Sequence, residues 1–117
     1  MVAGGVWMSG TVQARESGAD AGSTVSMAVL PAEALETHRL VLAGGPFPHD
    51  RDGSVFGNRE RLLPGRPRGH YREYTVRTPG KRDRGERRIV CGGTPPSRPD
   101  TCFYTGDHYA SFKRIAP

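Results

Sequence analysis

His70-Tyr71-Arg72-Glu73-Tyr74-Thr75-Val76-Arg77 is the stretch that decides the fold. It is rich in aromatic and β-branched residues and alternates in character, as a strand does when each face meets a different environment. Successive side chains of a strand point to opposite faces, so Tyr74 and Val76 share one side and Glu73 and Thr75 take the other. Two further stretches read the same way, Glu86-Arg87-Arg88-Ile89-Val90-Cys91 and residues 108–115 (HYASFKRI), with Ser54-Val55-Phe56 as a short addition. Gly- and Pro-rich links at 64–69 (PGRPRG), 79–85 (PGKRDRG) and 92–100 (GGTPPSRPD) separate them.

Upstream, residues 31–43 (PAEALETHRLVLA) change period. Ala34, Leu35, His38, Val41 and Leu42 form one apolar stripe of a helix, with His38 an ordinary packed or boundary histidine. Pro31 suits the first turn, Glu33 and Glu36 complement its positive end, and Gly44-Gly45-Pro46 stops it. One helix followed by consecutive strands predicts an α+β fold, with an N-terminal helix packed across an antiparallel sheet. The Tyr74/Val76 and Ile89/Cys91 faces then meet the helix, leaving Glu73 and Arg88 on an open face opposite.

The chain of 117 residues has room for one domain, predicted over 24–117. Residues 1–23 are small, Gly-rich and without sustained period, and are expected to be disordered. Val12-Gln13-Ala14 faintly resembles a signal-peptidase site without a basic region or full apolar core before it, so the expectation is a signal-peptide remnant. No run approaches the ~18 apolar residues of a membrane span.

The formal charge is +5, and it is concentrated. Residues 1–58 hold three Lys/Arg against six Asp/Glu, whereas residues 59–88 hold eleven against four. Strand residues interrupt that basic block, so its charges belong to a folded surface suited to an acidic partner such as nucleic acid. The only two cysteines, Cys91 and Cys102, flank the 92–100 loop. With no histidine at zinc-finger spacing, a disulfide stapling two adjacent strands is expected, and with it an oxidising compartment, secreted or periplasmic.

Glu73 and Arg88 on neighbouring strands could be a simple cross-strand ion pair. Their company argues for more. Arg84 and His108 complete a carboxylate, an imidazole and two guanidinium groups, which suffice to cleave RNA without a metal or other cofactor. The carboxylate takes the 2′-hydroxyl proton, the imidazolium protonates the leaving 5′-oxygen, and the arginines hold the phosphoryl oxygens. RNA supplies its own nucleophile.

An ordered set of motifs then resembles the microbial guanyl-specific ribonucleases of the barnase and ribonuclease Sa type. They are Gly45-Pro46-Phe47-Pro48, Asp52-Gly53, Val55-Phe56, Asn58-Arg59-Glu60, Leu63-Pro64, Glu73-Tyr74-Thr75-Val76, Thr78-Pro79-Gly80, Arg84-Gly85, Arg87-Arg88-Ile89 and Tyr104-Thr105-Gly106-Asp107-His108-Tyr109-Ala110. The resemblance implies Glu73 as general base, His108 as general acid, Arg84 and Arg88 as phosphate ligands, and Tyr109 as a further phosphate contact. It implies that Phe56, Gly57, Asn58, Arg59 and Glu60 form the guanine site. There Glu60 accepts from guanine N1 and N2, backbone amides near Asn58 and Arg59 donate to O6, and Phe56 packs on the base.

Gly57 replaces a bulkier polar residue common in the family, and His49 replaces a tyrosine. Ser26 stands where a family disulfide would begin, so a Cys91–Cys102 bridge is this chain's own. The expected function is a secreted, monomeric ribonuclease that cuts after guanosine through a 2′,3′-cyclic phosphate. The alternatives are a non-catalytic RNA-binding domain, and the same enzyme acting as a toxin restrained by a barstar-like inhibitor.

Overall fold

The computed structural model describes residues 23–116. The expectation of disorder over 1–23 thus falls almost entirely outside the described residues. One helix, α1 (Ala32–Ala43), packs on a sheet of six strands: β1 (Thr24–Ser26), β2 (Ser54–Val55), β3 (Tyr71–Thr75), β4 (Arg88–Gly92), β5 (Thr101–Thr105) and β6 (Lys113–Ala116). The strand order is β1-β6-β5-β4-β3-β2. All neighbours are antiparallel except β1, which lies parallel to β6, so the expected antiparallel sheet carries one parallel edge. No helix among the described residues is long and apolar enough to cross a membrane.

Helix α1 starts after Pro31 and ends at Gly44, whose φ of 78° is the left-handed conformation that glycine adopts without steric cost. The amides of Gly44 and Gly45 close the last turn on the carbonyls of Val41 and Leu40. Its buried stripe is Ala34, Thr37 and Val41, not the wider apolar set expected from sequence. Leu35 and Leu42 are 38% and 53% exposed. The helix meets the sheet along a narrow edge, where Thr37 donates its hydroxyl to the Thr75 carbonyl at 2.9 Å and ties α1 to the end of β3. A threonine inside the stripe escapes a purely apolar periodicity. His38 is half-buried, and burial lowers its imidazole pKa.

Alternation along β3 and β4 divides the interior in two. Tyr74, Val76, Ile89 and Cys91 join Ala34 and Val41 beneath the helix. The opposite face is not open. Leu63, Tyr71, Val90, Phe103 and Phe112 cover it as a second core, with Phe56, Leu62 and Tyr109 at its margin. Glu73 and Arg88 therefore lie at 7% and 3% exposure, not on a solvated surface. Tyr71, Val90 and Phe103 belong to the strands themselves, whereas Leu63 and Phe112 close over them from loops whose period says nothing about where they pack.

Cys91 and Cys102 are directly opposed in the β4–β5 register and form the expected disulfide. The expected strand over 108–115 is corrected to a turn followed by β6. His108 and Tyr109 have φ of 53° and 74°, which a strand does not admit. Strand β5, which begins just before Cys102 and runs to Thr105, takes the place next to β4.

Candidate active site

Glu73 sits in the middle of β3, between Val90 of β4 and Ser54 of β2, which aims its carboxylate out through the second core. Its Oε1 accepts from the Tyr109 hydroxyl at 2.6 Å and from Nη2 of Arg84 at 3.0 Å. Nε of Arg88 lies 3.7 Å from the same oxygen. All these contacts fall on Oε1. Among the described residues, Oε2 has no protein donor, so it is the oxygen able to receive a proton from a ligand.

Arg84 is oriented by a second contact, from its Nε to Thr75 Oγ1 at 2.9 Å. Arg88 projects from β4 beside Thr75, its cross-strand partner. Its Nε donates to the Tyr109 oxygen at 3.1 Å and its Nη1 to the Arg87 carbonyl at 2.8 Å. Nη1 of Arg84 and Nη2 of Arg88 meet no protein acceptor among the described residues. One carboxylate thus faces two guanidinium groups in a site largely withdrawn from water. Opposite charges interact strongly there, and the surplus positive charge suits a phosphodiester anion.

The Tyr109 hydroxyl is held protonated. Burial raises its pKa, and the hydrogen bond to Glu73 raises it further. It is therefore a fixed donor to Glu73 and an acceptor from Arg88.

His108 and Tyr109 reach the site through a loop built on Asp107. The Asp107 carboxylate accepts from the Thr105 hydroxyl at 2.8 Å, the Ser111 amide at 3.0 Å and the Ser111 hydroxyl at 2.7 Å. These donors lower its pKa, the Ser111 hydroxyl most. Thr105 Oγ1 in turn accepts from the Tyr109 amide at 3.1 Å, and the His108 amide donates to the Glu86 carbonyl at 2.9 Å. Two successive residues are so held at positive φ, which turns the exposed His108 ring toward the cleft.

That cleft has a volume of about 770 Å³ and joins Glu73, His108 and Tyr109 to the loop of residues 56–60. Phe56 packs on Tyr109 and Phe112 with ring centroids 5.1 and 5.8 Å apart. Asn58, at φ 53°, clamps the loop by donating to the Leu63 carbonyl at 3.0 Å and accepting from the Leu63 amide at 3.1 Å. Its side chain is consumed in shaping the loop. Glu60 and Arg59 stand exposed on the loop and line the cleft.

A ribonuclease family model matches residues 14–116. The chain belongs to the ribonuclease family. It is 50% identical over 96 residues to guanyl-specific ribonuclease Sa of Kitasatospora aureofaciens, covering 82% of this chain and 96% of that protein. It is 49% identical over 89 residues to guanyl-specific ribonuclease St of Saccharopolyspora erythraea, covering 76% of this chain and 83% of that one. Among solved structures, ribonuclease Sa2 with guanosine-2′-cyclophosphate matches at a TM-score of 0.74 and 44% identity over 81% of this chain and 96% of that one. A structure of ribonuclease Sa2 complexes with mononucleotides matches at 0.75 and 44%, covering 81% of this chain and 94% of that one.

Within this ribonuclease, the residues singled out from sequence gather in one place: Glu73, Arg84, Arg88 and Tyr109 touch one another, and His108 and the 56–60 loop share the cleft. Sequence reasoning missed Arg51 and Phe112, which also line it. Arg51 lies outside the basic block, and Phe112 was assigned to a strand. Asp52, quoted in a motif but given no role there, accepts the Thr75 amide on Oδ1 at 2.7 Å and fixes the end of β3. His49 lines a different cavity, against Thr37 and Leu40 of the helix, away from the cleft. At Gly57 a Cβ would meet only Cγ of Arg59, at 3.7 Å, so the glycine is not imposed by crowding.

Proposed function

We propose that the protein is a guanyl-specific endoribonuclease that cuts single-stranded RNA on the 3′ side of guanosine. The observation that carries this reading is the Glu73 carboxylate, held on Oε1 by Tyr109 and Arg84 with Arg88 beside it, in a cleft it shares with His108. The names of the relatives, and the guanosine cyclophosphate bound to ribonuclease Sa2, support the choice of base and of reaction.

In the first step Oε2 of Glu73 takes the proton of the ribose 2′-hydroxyl as its oxygen attacks phosphorus. His108, as imidazolium, gives a proton to the departing 5′-oxygen. The P–O5′ bond breaks and a 2′,3′-cyclic phosphate forms. Arg84 and Arg88 offer their unused N–H groups to the equatorial phosphoryl oxygens, whose charge grows in the transition state. Hydrolysis runs the roles in reverse: His108 takes a proton from water and Glu73 returns one to the 2′-oxygen.

No step calls for a metal, and the enzyme is proposed to be metal-independent. Guanine enters beside Phe56, with the Glu60 carboxylate accepting from N1–H and N2–H. The Cys91–Cys102 disulfide supports an extracellular site of action. Among the described residues the exposed large apolar side chains are few, Val29, Leu35, Leu42 and Val55, which supports a monomer. The basic cleft would also suit an acidic inhibitor of barstar type, a partner tested by pull-down. A purely RNA-binding domain would have no use for a proton acceptor and donor in one cleft.

The test is digestion of a defined oligoribonucleotide in EDTA with analysis of the product ends. Fragments ending in guanosine 2′,3′-cyclic phosphate are expected. Intact RNA would leave only the binding reading.

A further inference from the structure

A second, smaller cavity, of about 240 Å³, opens on the same side of the sheet as the active-site cleft. Phe112 lines the cleft and Phe103 lines this cavity, and the two rings meet edge to face with centroids 6.5 Å apart. One aromatic pair is thus the wall between them. Arg66, His70 and Arg114 line the smaller cavity, with Asp100 at its side.

Two parts of the chain, the segment 66–70 and strand β6, bring these side chains together. Arg114 is the register partner of Phe103 across β5 and β6, so both side chains leave the sheet on the cleft side. His70 packs edge-on against the Tyr71 ring, with centroids 4.8 Å apart. Its imidazole occupies the space above Gly92, where any Cβ would collide with it. The Tyr71 hydroxyl donates to the Pro64 carbonyl at 2.6 Å, which ties down the loop that carries Arg66. The cavity is therefore framed by packed elements, not by a drifting surface loop.

Its charges are unspent. Among the described residues, the side chains of Arg66, His70 and Arg114 make no hydrogen bond and no ion pair. Asp100 is not within ion-pair distance of either arginine, and its amide is bound to the Gly92 carbonyl at 2.6 Å. Two arginines and a histidine against one carboxylate leave a positive hollow suited to an anion with several acceptor oxygens.

We propose that Arg66, His70 and Arg114 form a subsite for a phosphodiester of the RNA chain beyond the one being cut. The proposal rests on the ribonuclease reading above. The strand would leave the cleft over the Phe103–Phe112 pair and place a later phosphate in the hollow. Such a subsite makes long RNA a better substrate than a dinucleotide, without touching the chemistry or the choice of base.

The test compares wild type with the Arg66→Ala/Arg114→Ala double variant on GpC and on a longer RNA carrying one central guanosine. The double variant should cleave GpC as the wild type does. Its kcat/KM on the longer RNA should fall about tenfold, through KM, with a shallower dependence on salt. Arg68→Ala is the control: it removes an exposed charge from the same loop outside the cavity and should not reproduce the loss. An equal loss on both substrates, no loss on either, or the same loss from Arg68→Ala would each overturn the proposal. Binding of the longer RNA with 2′-deoxyguanosine at the cut site reads the subsite without turnover. Kd should rise about tenfold in the double variant, and an unchanged Kd overturns the subsite whatever the cleavage assays give. A wild type that binds this RNA but cuts neither substrate would refute the ribonuclease reading instead.

Discussion

The Tyr109 hydroxyl lies 2.6 Å from Oε1 of Glu73 and donates to it. The same hydroxyl accepts from Nε of Arg88 at 3.1 Å, so one phenol links the proposed general base to a proposed phosphate ligand. Tyr109→Phe keeps the ring packing on Phe56 and Phe112 but removes both contacts. A hydrogen bond to a charged group contributes about 1.5–3 kcal/mol, so kcat should fall roughly ten- to a hundredfold. The same lost bond should also lower the thermal midpoint by several degrees, so kcat is compared well below it. A variant with undiminished kcat would show that Tyr109 only packs.

Activity should be bell-shaped in pH, because Glu73 has to be ionised and His108 protonated in the free enzyme. Glu73→Ala should abolish the fall in rate on the acid side, and His108→Ala the fall on the alkaline side, each with a large loss of turnover. Profiles of kcat/KM for the three proteins check this. A full bell from either variant would reassign its role.

Much of this site is legible in the sequence. Glu73, Arg84, Arg88 and His108 stand out because they are chemically distinct residues set in compact motifs, and alternation along 70–77 puts Glu73 and Tyr74 on opposite faces. What alternation omits is the environment of each face. Glu73 and Arg88 read as solvated, yet Phe103, Phe112 and Leu63 cover that side from distant positions. The turn at 107–111 is equally hidden: His-Tyr-Ala-Ser-Phe looks like a strand until the Asp107 carboxylate captures Ser111 and Thr105. Side-chain hydrogen bonds of this kind override propensity, and no period announces them. Arg87 shows the converse, since it points to the helix side and lies 3.8 Å from Glu33, while its neighbour Arg88 faces the cleft.

Asp107 should matter for turnover without touching RNA. Its pKa is lowered chiefly by the Ser111 hydroxyl, so the loop gains stability from the ionised form. That contribution is present above the unfolded value of about 4 and is lost as pH falls through the lower folded value. Asp107→Asn should lower kcat on GpC at neutral pH about tenfold by loosening the turn that presents His108. Unchanged kcat, with an unchanged Ser111 amide resonance, would deny the loop this function.

Alkali should unfold the protein through its tyrosines. Tyr71, Tyr74, Tyr104 and Tyr109 all have raised pKa values, with burial the leading cause in each. A phenol ionises more readily in the unfolded chain than in this fold. The stability that follows is therefore complete below pH of about 10 and is lost as pH rises through the folded values. Phenolate absorbance and urea midpoints should move together above that pH. Four tyrosines ionising near pH 10 in an intact fold would contradict this.

Guanine recognition through Glu60 is tested most directly by kcat/KM on GpC and ApC for the wild type and Glu60→Ala. Guanine alone among the RNA bases presents N1–H and N2–H side by side to one carboxylate, whereas adenine turns an unprotonated N1 toward it. A good bidentate base contact is worth on the order of 1–3 kcal/mol. The wild type should therefore favour GpC by at least about tenfold. Glu60→Ala should lose most of that preference while its residual rate on ApC and its pH profile stay put. A wild type indifferent between GpC and ApC, or a Glu60→Ala variant with an unchanged ratio, would contradict the assignment of this cleft to guanine.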